Sequence, residues 1–439
     1  MTGGSARIAD SAMYAHLWGT PAVRAVFAEQ GRLQGWLDVL AALARAQAAH
    51  GTVPDPAAER IGALRAADLD LERVAAETRA TGHSTLGLIR VLADVLPPEV
   101  HRQVYVGATV QDLTDTWTST ALRTVLDEVG RDLRRVEELL LDLAVEHRDT
   151  LQAGRTHGQP GAPITFGWKA ATWADEVRRH LDRLREGRPR WLTGQLGGGV
   201  GTLAAQGPDA LLVRARFCAE LGLADPGISW LTARDRVAEV GAVLAMVTGT
   251  LARIGNDVYE LQRPEIGELR EPTAPGAVGS ITMPHKRNPE RSEHLDTLAR
   301  LVRANAGVLM EGMVGAHERD GRSWKAEWVA LPEVCLLSAT AAAMAVALLE
   351  DLEVDAGAMR ANLEALVSSE QALTLLTGRL GKHEAQAALQ ASLAAGQRFS
   401  DLLTADEAAQ LQPDPGQAGA MVDLVVARLR TARTAEDDA

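Results

Sequence analysis

The sequence predicts an all-α protein of three helical domains, the central one a bundle of very long helices. Ala, Leu, Arg and Glu dominate, aromatic residues make up only 4%, and β-branched runs are rare. Such side chains lose little rotamer freedom in a helix. Residues 109–147, 234–262 and 290–315 each run without proline. Helices that long bury their apolar faces best against one another. Glycine and proline collect instead at 196–201, 271–289 and 412–419, which read as loops.

In chain order, Arg32 to His50 places Leu33, Trp36, Leu37, Leu40, Leu43 and Ala44 at helical spacing. Val53-Pro54-Asp55-Pro56 ends that element. Asp55 is expected to cap the next helix, with Pro56 in its first turn. The expected domains are an N-terminal helical domain (1–108), a central long-helix bundle (109–350) and a C-terminal helical domain (351–439). The polar tail Thr434 to Ala439 is expected to fray.

Composition narrows the function classes. No apolar run reads as approaching the roughly 20 residues that cross a bilayer, and Met1 to Asp10 lacks a signal-peptide core. Cys218 and Cys335 sit in apolar helical patterns and read as buried thiols. No Cys/His spacing suggests a metal. A cytoplasmic enzyme with no metal, cofactor or membrane partner is expected. The net charge of −13 argues against nucleic acid, and an anionic substrate would need a local cluster of cations.

Such clusters are present. The most informative is Gly279-Ser280-Ile281-Thr282-Met283-Pro284-His285-Lys286-Arg287-Asn288-Pro289. Its prolines oppose helix and strand, Ser280 offers a hydroxyl, and Lys286 and Asn288 suit a carboxylate. Gly154-Arg155-Thr156-His157-Gly158-Gln159-Pro160 sets an imidazole, able to exchange a proton near neutral pH, beside hydroxyl and guanidinium groups. Gly107-Ala108-Thr109-Val110-Gln111-Asp112 precedes a long helix, where backbone N–H groups suit an anion. Arg319 and Arg322 interrupt apolar stretches and suit carboxylates. Gln195 precedes the run Gly197-Gly198-Gly199-Val200-Gly201, which has no strand–turn–helix context and is no dinucleotide fingerprint. His83 and Ser84 break a helical domain. Each string alone also reads as an ordinary cap or polar loop.

Together they fit one template. The Gly279–Pro289 string resembles the signature loop of the fumarase/aspartase superfamily (GSxxMPxKxNP), and the likeness extends over nearly the whole chain. It is strongest to the branch of adenylosuccinate lyases and bacterial 3-carboxy-cis,cis-muconate cycloisomerases. The resemblance implies a homotetramer with a twenty-helix core, whose composite active sites take three signature segments from different subunits. It implies Ser280 as general base and His157 as general acid or leaving-group partner. Thr109, Gln111, Thr156, Lys286 and Asn288 would hold the carboxylates of a small dicarboxylate. His83, Ser84, Arg155, Gln195, Met283, Arg319 and Arg322 would complete the substrate site.

The chain departs from both relatives. Gly31-Arg32-Leu33-Gln34, Arg234-Asp235-Arg236, Trp324-Lys325-Ala326-Glu327-Trp328 and Leu331-Pro332-Glu333 look like the cycloisomerase, whereas His83 and Thr156-His157-Gly158-Gln159-Pro160 look like the lyases. The Arg-Tyr pair with which adenylosuccinate lyases grip a phosphate is replaced by Met13-Tyr14-Ala15-His16, and their serine-rich stretch by Gly321-Arg322-Ser323-Trp324. The reading that satisfies both departures is a lyase cleaving a succinyl compound to fumarate and a small nitrogen-containing group. Nitrosuccinate, releasing nitrite, is the expected substrate. Cycloisomerase and adenylosuccinate lyase activities are the alternatives. A catalytically silent structural protein is a third class, which the intact Ser280, His157, Lys286 and Asn288 oppose.

Overall fold

The computed structural model describes residues 7–437 except 274, 275, 277, 284, 365–368 and 411. Pro284 of the signature loop, the start of the N-terminal segment and the last two residues therefore lie outside the described residues.

The protein is predominantly helical. Between residues 110 and 349, the described residues include five helices of 22 to 37 residues: Val110–Glu146, Phe166–Trp191, Asp235–Leu261, Glu290–Glu311 and Gly321–Leu349. The proline-free stretches match the first, third and fourth. The other two contain Pro189 and Pro332, so no uninterrupted proline-free run marks them in the sequence. Each proline removes only one donor from a helix otherwise held along its length.

Three expectations need correction. Asp55 is the first residue of the helix Asp55–Gly62, not its cap; Pro54 holds that position and no side chain caps the end. The tail does not fray at Thr434, because the last helix runs from Ala418 to Asp437. Two helices, Asp235–Leu261 and Gly321–Leu349, are long and apolar enough by length and composition to cross a membrane. Their apolar windows are 67% and 61% buried, as in helices whose faces meet other helices. The all-α expectation holds, with two short antiparallel pairs among the described residues, Leu151–Thr156 with Gln159–Thr165 and Leu269–Arg270 with Glu353–Val354.

The residues gather into two compact units, each taking part of every long helix. The three-part sequential division at about 108 and 350 remains a proposal about stretches of chain.

The first unit comprises residues 1–132, 180–249 and 297–343. Its apolar core joins Leu33, Leu37, Leu40 and Leu43 of the helix Glu29–Ala48 to Ile61, Leu88, Leu92, Leu113 and Phe217. Gly35 is required there, since a Cβ would lie 2.2 Å from the Trp117 ring. Arg234 is one of the unit's buried charges. It donates to Asp115 at 2.7 Å and to Glu327 at 2.9 and 2.5 Å, all three side chains being at most 5% exposed. Asp112 is a further buried carboxylate of the unit. It accepts from the backbone N–H groups of Thr109, Gly197 and Gly198, each at 2.9 Å, and from Gln195 Nε2 at 3.2 Å. Burial pushes the Asp112 carboxyl up to about 6, against the pull of those four donors.

The second unit comprises residues 133–179, 250–296 and 344–439. Arg178 makes a fork onto Glu137 at 2.7 and 2.5 Å and also donates to Glu436. Arg433 reaches Glu137 at 3.1 Å and Arg134 reaches Glu436 at 3.2 Å. These pairs hold the terminal helix to its end. Glu268, fully buried, accepts from Gln152, Asn362 and both ends of the Arg155 fork.

Removing Arg234 would leave two buried carboxylates uncompensated. Arg234→Ala is expected to lower unfolding free energy by about 3–5 kcal/mol, whereas Arg322→Ala, which removes a guanidinium that is 78% exposed, leaves the urea midpoint in place. Equal midpoint shifts would contradict this. For Asp112, the folded pKa exceeds the unfolded one, so its own contribution to stability is fully present below about pH 4 and is lost as pH rises through about 6. Relative to Asp112→Asn, the wild type should lose up to about 3 kcal/mol across that window. A stability difference that does not vary with pH would refute the assignment.

Candidate active site

The Ser280 loop is braced at its base. Glu271 stands at its start, and its carboxylate accepts the N–H groups of Arg291 at 3.1 Å and Ser292 at 2.8 Å, in the first turn of the helix Glu290–Glu311. An anion at that position meets both free donors and the positive end of the helix dipole. Within the loop, Asn288 Nδ2 donates to the Gly279 carbonyl at 2.8 Å. A Cβ on Gly279 would lie 2.4 Å from the Lys286 carbonyl, so the chain can close here only with glycine. Ser280 Oγ accepts from the Met283 N–H at 3.0 Å. Met283 and Lys286 are exposed, Ser280 and Asn288 half-buried.

His157 lies at the tip of the hairpin. His157 and Gly158 have φ of 52° and 73°, and Thr156 pairs with Gln159 across them. Positive φ at both central residues is the signature of a type I′ turn, whose twist matches the flanking strands. Thr156 and His157 are exposed. Arg155, two residues away, is committed to Glu268 at 2.6 Å and anchors the hairpin.

In the first unit, His83, Thr109 and Arg319 line one cavity of about 290 Å³. Arg319 Nη1 donates to Thr109 Oγ1 at 2.6 Å, while the Thr109 N–H goes to Asp112. The Nδ1 atom of His83 accepts from the Leu86 N–H at 3.2 Å, so its proton is carried on Nε2. Tyr105 joins the wall, and burial raises its phenol well above the ordinary value, keeping it a donor. It sits at φ 67°, an uncommon conformation for a tyrosine. The sequence reading missed Tyr105. Its signal was its place two residues before Gly107.

The remaining predicted residues lie elsewhere. Gln111 is fully buried and donates to the Leu231 carbonyl at 2.6 Å. Gln195, also buried, donates to Ser229 Oγ and accepts from the Trp230 N–H, each at 2.8 Å. Arg322 is exposed and forked onto Asp320, whose carboxyl it holds below the usual range. Ser84 lines a different, aromatic pocket. Asp112, which fixes Thr109, was overlooked although it ends the quoted string.

A family model described as "Lyase" matches residues 18–304. The chain is 39% identical over 385 residues to N-acetyl-S-(2-succino)cysteine lyase of Dickeya dadantii, covering 87% of this chain and 85% of that protein. It is 42% identical over 430 residues to 3-carboxy-cis,cis-muconate cycloisomerase of Pseudomonas aeruginosa, covering 92% and 94%. Among solved structures, 3-carboxy-cis,cis-muconate lactonizing enzyme of Pseudomonas putida superposes with a TM-score of 0.86 at 38% identity, covering 94% and 97%. The signature loop, the helical fold and these likenesses agree: the chain belongs to the fumarase/aspartase superfamily and is an enzyme of it.

Proposed function

We propose that this enzyme eliminates a small leaving group from the 2-position of a succinyl compound, giving fumarate, with nitrosuccinate as its first candidate substrate. Ser280 carries the reading, because its oxygen already accepts an N–H from Met283 within a loop that also bears Lys286. An unassisted serine has far too high a pKa to act as a base; donors and a nearby cation stabilise the alkoxide. Ser280 takes a proton from C3, and the electron pair moves into the adjacent carboxylate as a dianionic aci-carboxylate. That charge needs fixed donors in a water-poor site. The pair then returns to form the C2=C3 double bond as the C2–X bond breaks. For nitrosuccinate the products are fumarate and nitrite, the proton remaining on Ser280. A poorer leaving group takes a proton from His157 as it departs.

The His83–Thr109–Arg319 cavity supports a small carboxylate ligand, with one guanidinium, one imidazole and hydroxyl donors in about 290 Å³. Lys286, Asn288 and Thr156 would complete the grip once the segments meet. We propose that they do so in a homotetramer with shared sites, Gln111, Gln195, Arg155 and Asp112 holding the walls in place. The 39% likeness to the succinocysteine enzyme supports N-acetyl-S-(2-succino)cysteine as the rival substrate, with a thiol in place of nitrite. The 42% likeness to the cycloisomerase supports testing ring opening and closure beside it. Adenylosuccinate is expected to be poor. Met13-Tyr14-Ala15-His16 offers no arginine for a phosphate, and each lost charge-assisted hydrogen bond costs about 1.5–3 kcal/mol.

The test is a panel of nitrosuccinate, N-acetyl-S-(2-succino)cysteine, adenylosuccinate and 3-carboxymuconolactone, followed by ultraviolet absorbance. The highest kcat/KM is expected for nitrosuccinate, and a ranking led by adenylosuccinate would overturn the proposal. Ser280→Ala should abolish turnover with substrate binding kept within about an order of magnitude; near wild-type turnover would remove Ser280 from its role. His157→Ala should slow thiol release by about 10²–10⁴ and nitrite release far less, because nitrite leaves as a stable anion. Equal losses on both substrates would refute the acid assignment. Mixing Ser280→Ala with His157→Ala chains should restore some of the thiol-releasing activity that both lack if sites are shared, and a fully active monomer would exclude sharing.

A further inference from the structure

Three groups around the His83 cavity already hold one another or the backbone. Arg319 Nη1 donates to Thr109 Oγ1 at 2.6 Å, and the Thr109 N–H goes to Asp112. His83 Nδ1 accepts the N–H groups of Leu86 at 3.2 Å and Thr85 at 3.4 Å. The hydroxyls of Thr85 and Tyr105 stand in the same wall. Thr85 is 1% exposed, and its Oγ1 is buried with no partner among the described residues other than the neighbouring Tyr105 phenol. Thr85 favours the charged form of that phenol, which is the action of a donor on the phenol oxygen. A phenol that accepts from Thr85 keeps its own O–H for another acceptor.

The backbone points the same way. A φ of 67° costs free energy for a residue with a Cβ, and such a conformation persists only where the surroundings impose it. The Tyr105 ring packs against the apolar core of the first unit, so the hydroxyl is carried on a fixed support. Burial keeps the phenol protonated, and the pull of the Arg319 guanidinium does not reverse this. Arg319 has further N–H groups beyond the one spent on Thr109. The wall therefore sets a neutral donor beside a cation, a pairing that suits one carboxylate.

We propose that Tyr105 is a substrate-binding residue whose O–H, oriented by Thr85, donates to a carboxylate oxygen that Arg319 also holds. The assignment rests on the elimination proposed above, since it takes the bound group to be a carboxylate of the succinyl compound.

The test is calorimetric titration of full-length protein with fumarate, which carries both carboxylates and no leaving group. Saturable binding by the wild type is expected, and its absence would remove the elimination and this assignment together. Tyr105→Phe keeps the ring and removes the O–H. It should weaken fumarate by about 10- to 100-fold, lower kcat/KM for the best substrate of the panel by at least that factor, and leave the urea midpoint in place. Thr85→Val should weaken fumarate by about 2- to 10-fold in the wild type and by less than about twofold beside Tyr105→Phe, because it acts through the phenol. Wild-type fumarate affinity in Tyr105→Phe would overturn the assignment and leave the elimination standing. A loss of affinity matched by a fall in the urea midpoint would place Tyr105 in the fold alone. Equal Thr85→Val losses in the two backgrounds would overturn the part given to Thr85.

Discussion

Asp112 lies near the start of the 37-residue helix and meets four donors at once, three backbone N–H groups and one side-chain amide. Through Thr109 it sets where the Arg319 guanidinium rests. Through Gly197, Gly198 and Gln195 it fixes the glycine loop and, one step further, Ser229 and Trp230. A buried carboxylate of this kind cannot shift alone, because every donor it releases would be left unmet. The walls of the His83 cavity therefore hold their geometry as a set.

The second unit solves a different problem, that of presenting polar groups from irregular chain. Its two exposed segments are each tied to a buried or capping carboxylate, Glu268 under the hairpin and Glu271 at the foot of the Ser280 loop. Both keep short, polar, poorly packed segments attached to helices whose stability comes from apolar burial.

Much of this was legible in the sequence, and what escaped has a physical reason. Long helices announce themselves by period and by the lack of proline, which is why Val110–Glu146 was read to within a residue or so at each end. Phe166–Trp191 and Gly321–Leu349 were not, because an internal proline reads locally as a stop, whereas tertiary packing carries the helix past it. The Ser280 loop was visible as a motif, but its brace was not, since Glu271 and Ser292 are 21 residues apart and only folding shows that they meet. Arg155, Arg319 and Arg322 are alike in sequence and distinct in space. One is spent on Glu268 and one on Asp320, and Arg319 alone of the three opens onto the cavity with His83. Partner choice is a long-range property that no local string encodes.

The left-handed backbone at His157 has a consequence for how this position can vary. Histidine, asparagine, aspartate and glycine adopt positive φ at small cost, and β-branched residues do so only with strain. A pool of random residues at this site, selected for a folded chain alone, would be filtered by backbone shape and would retain those few types. Selected instead for release of a poor leaving group, the same pool would be filtered a second time by proton exchange near neutral pH, which among them only histidine performs. The difference between the two surviving sets separates what the turn demands from what the chemistry demands at one residue.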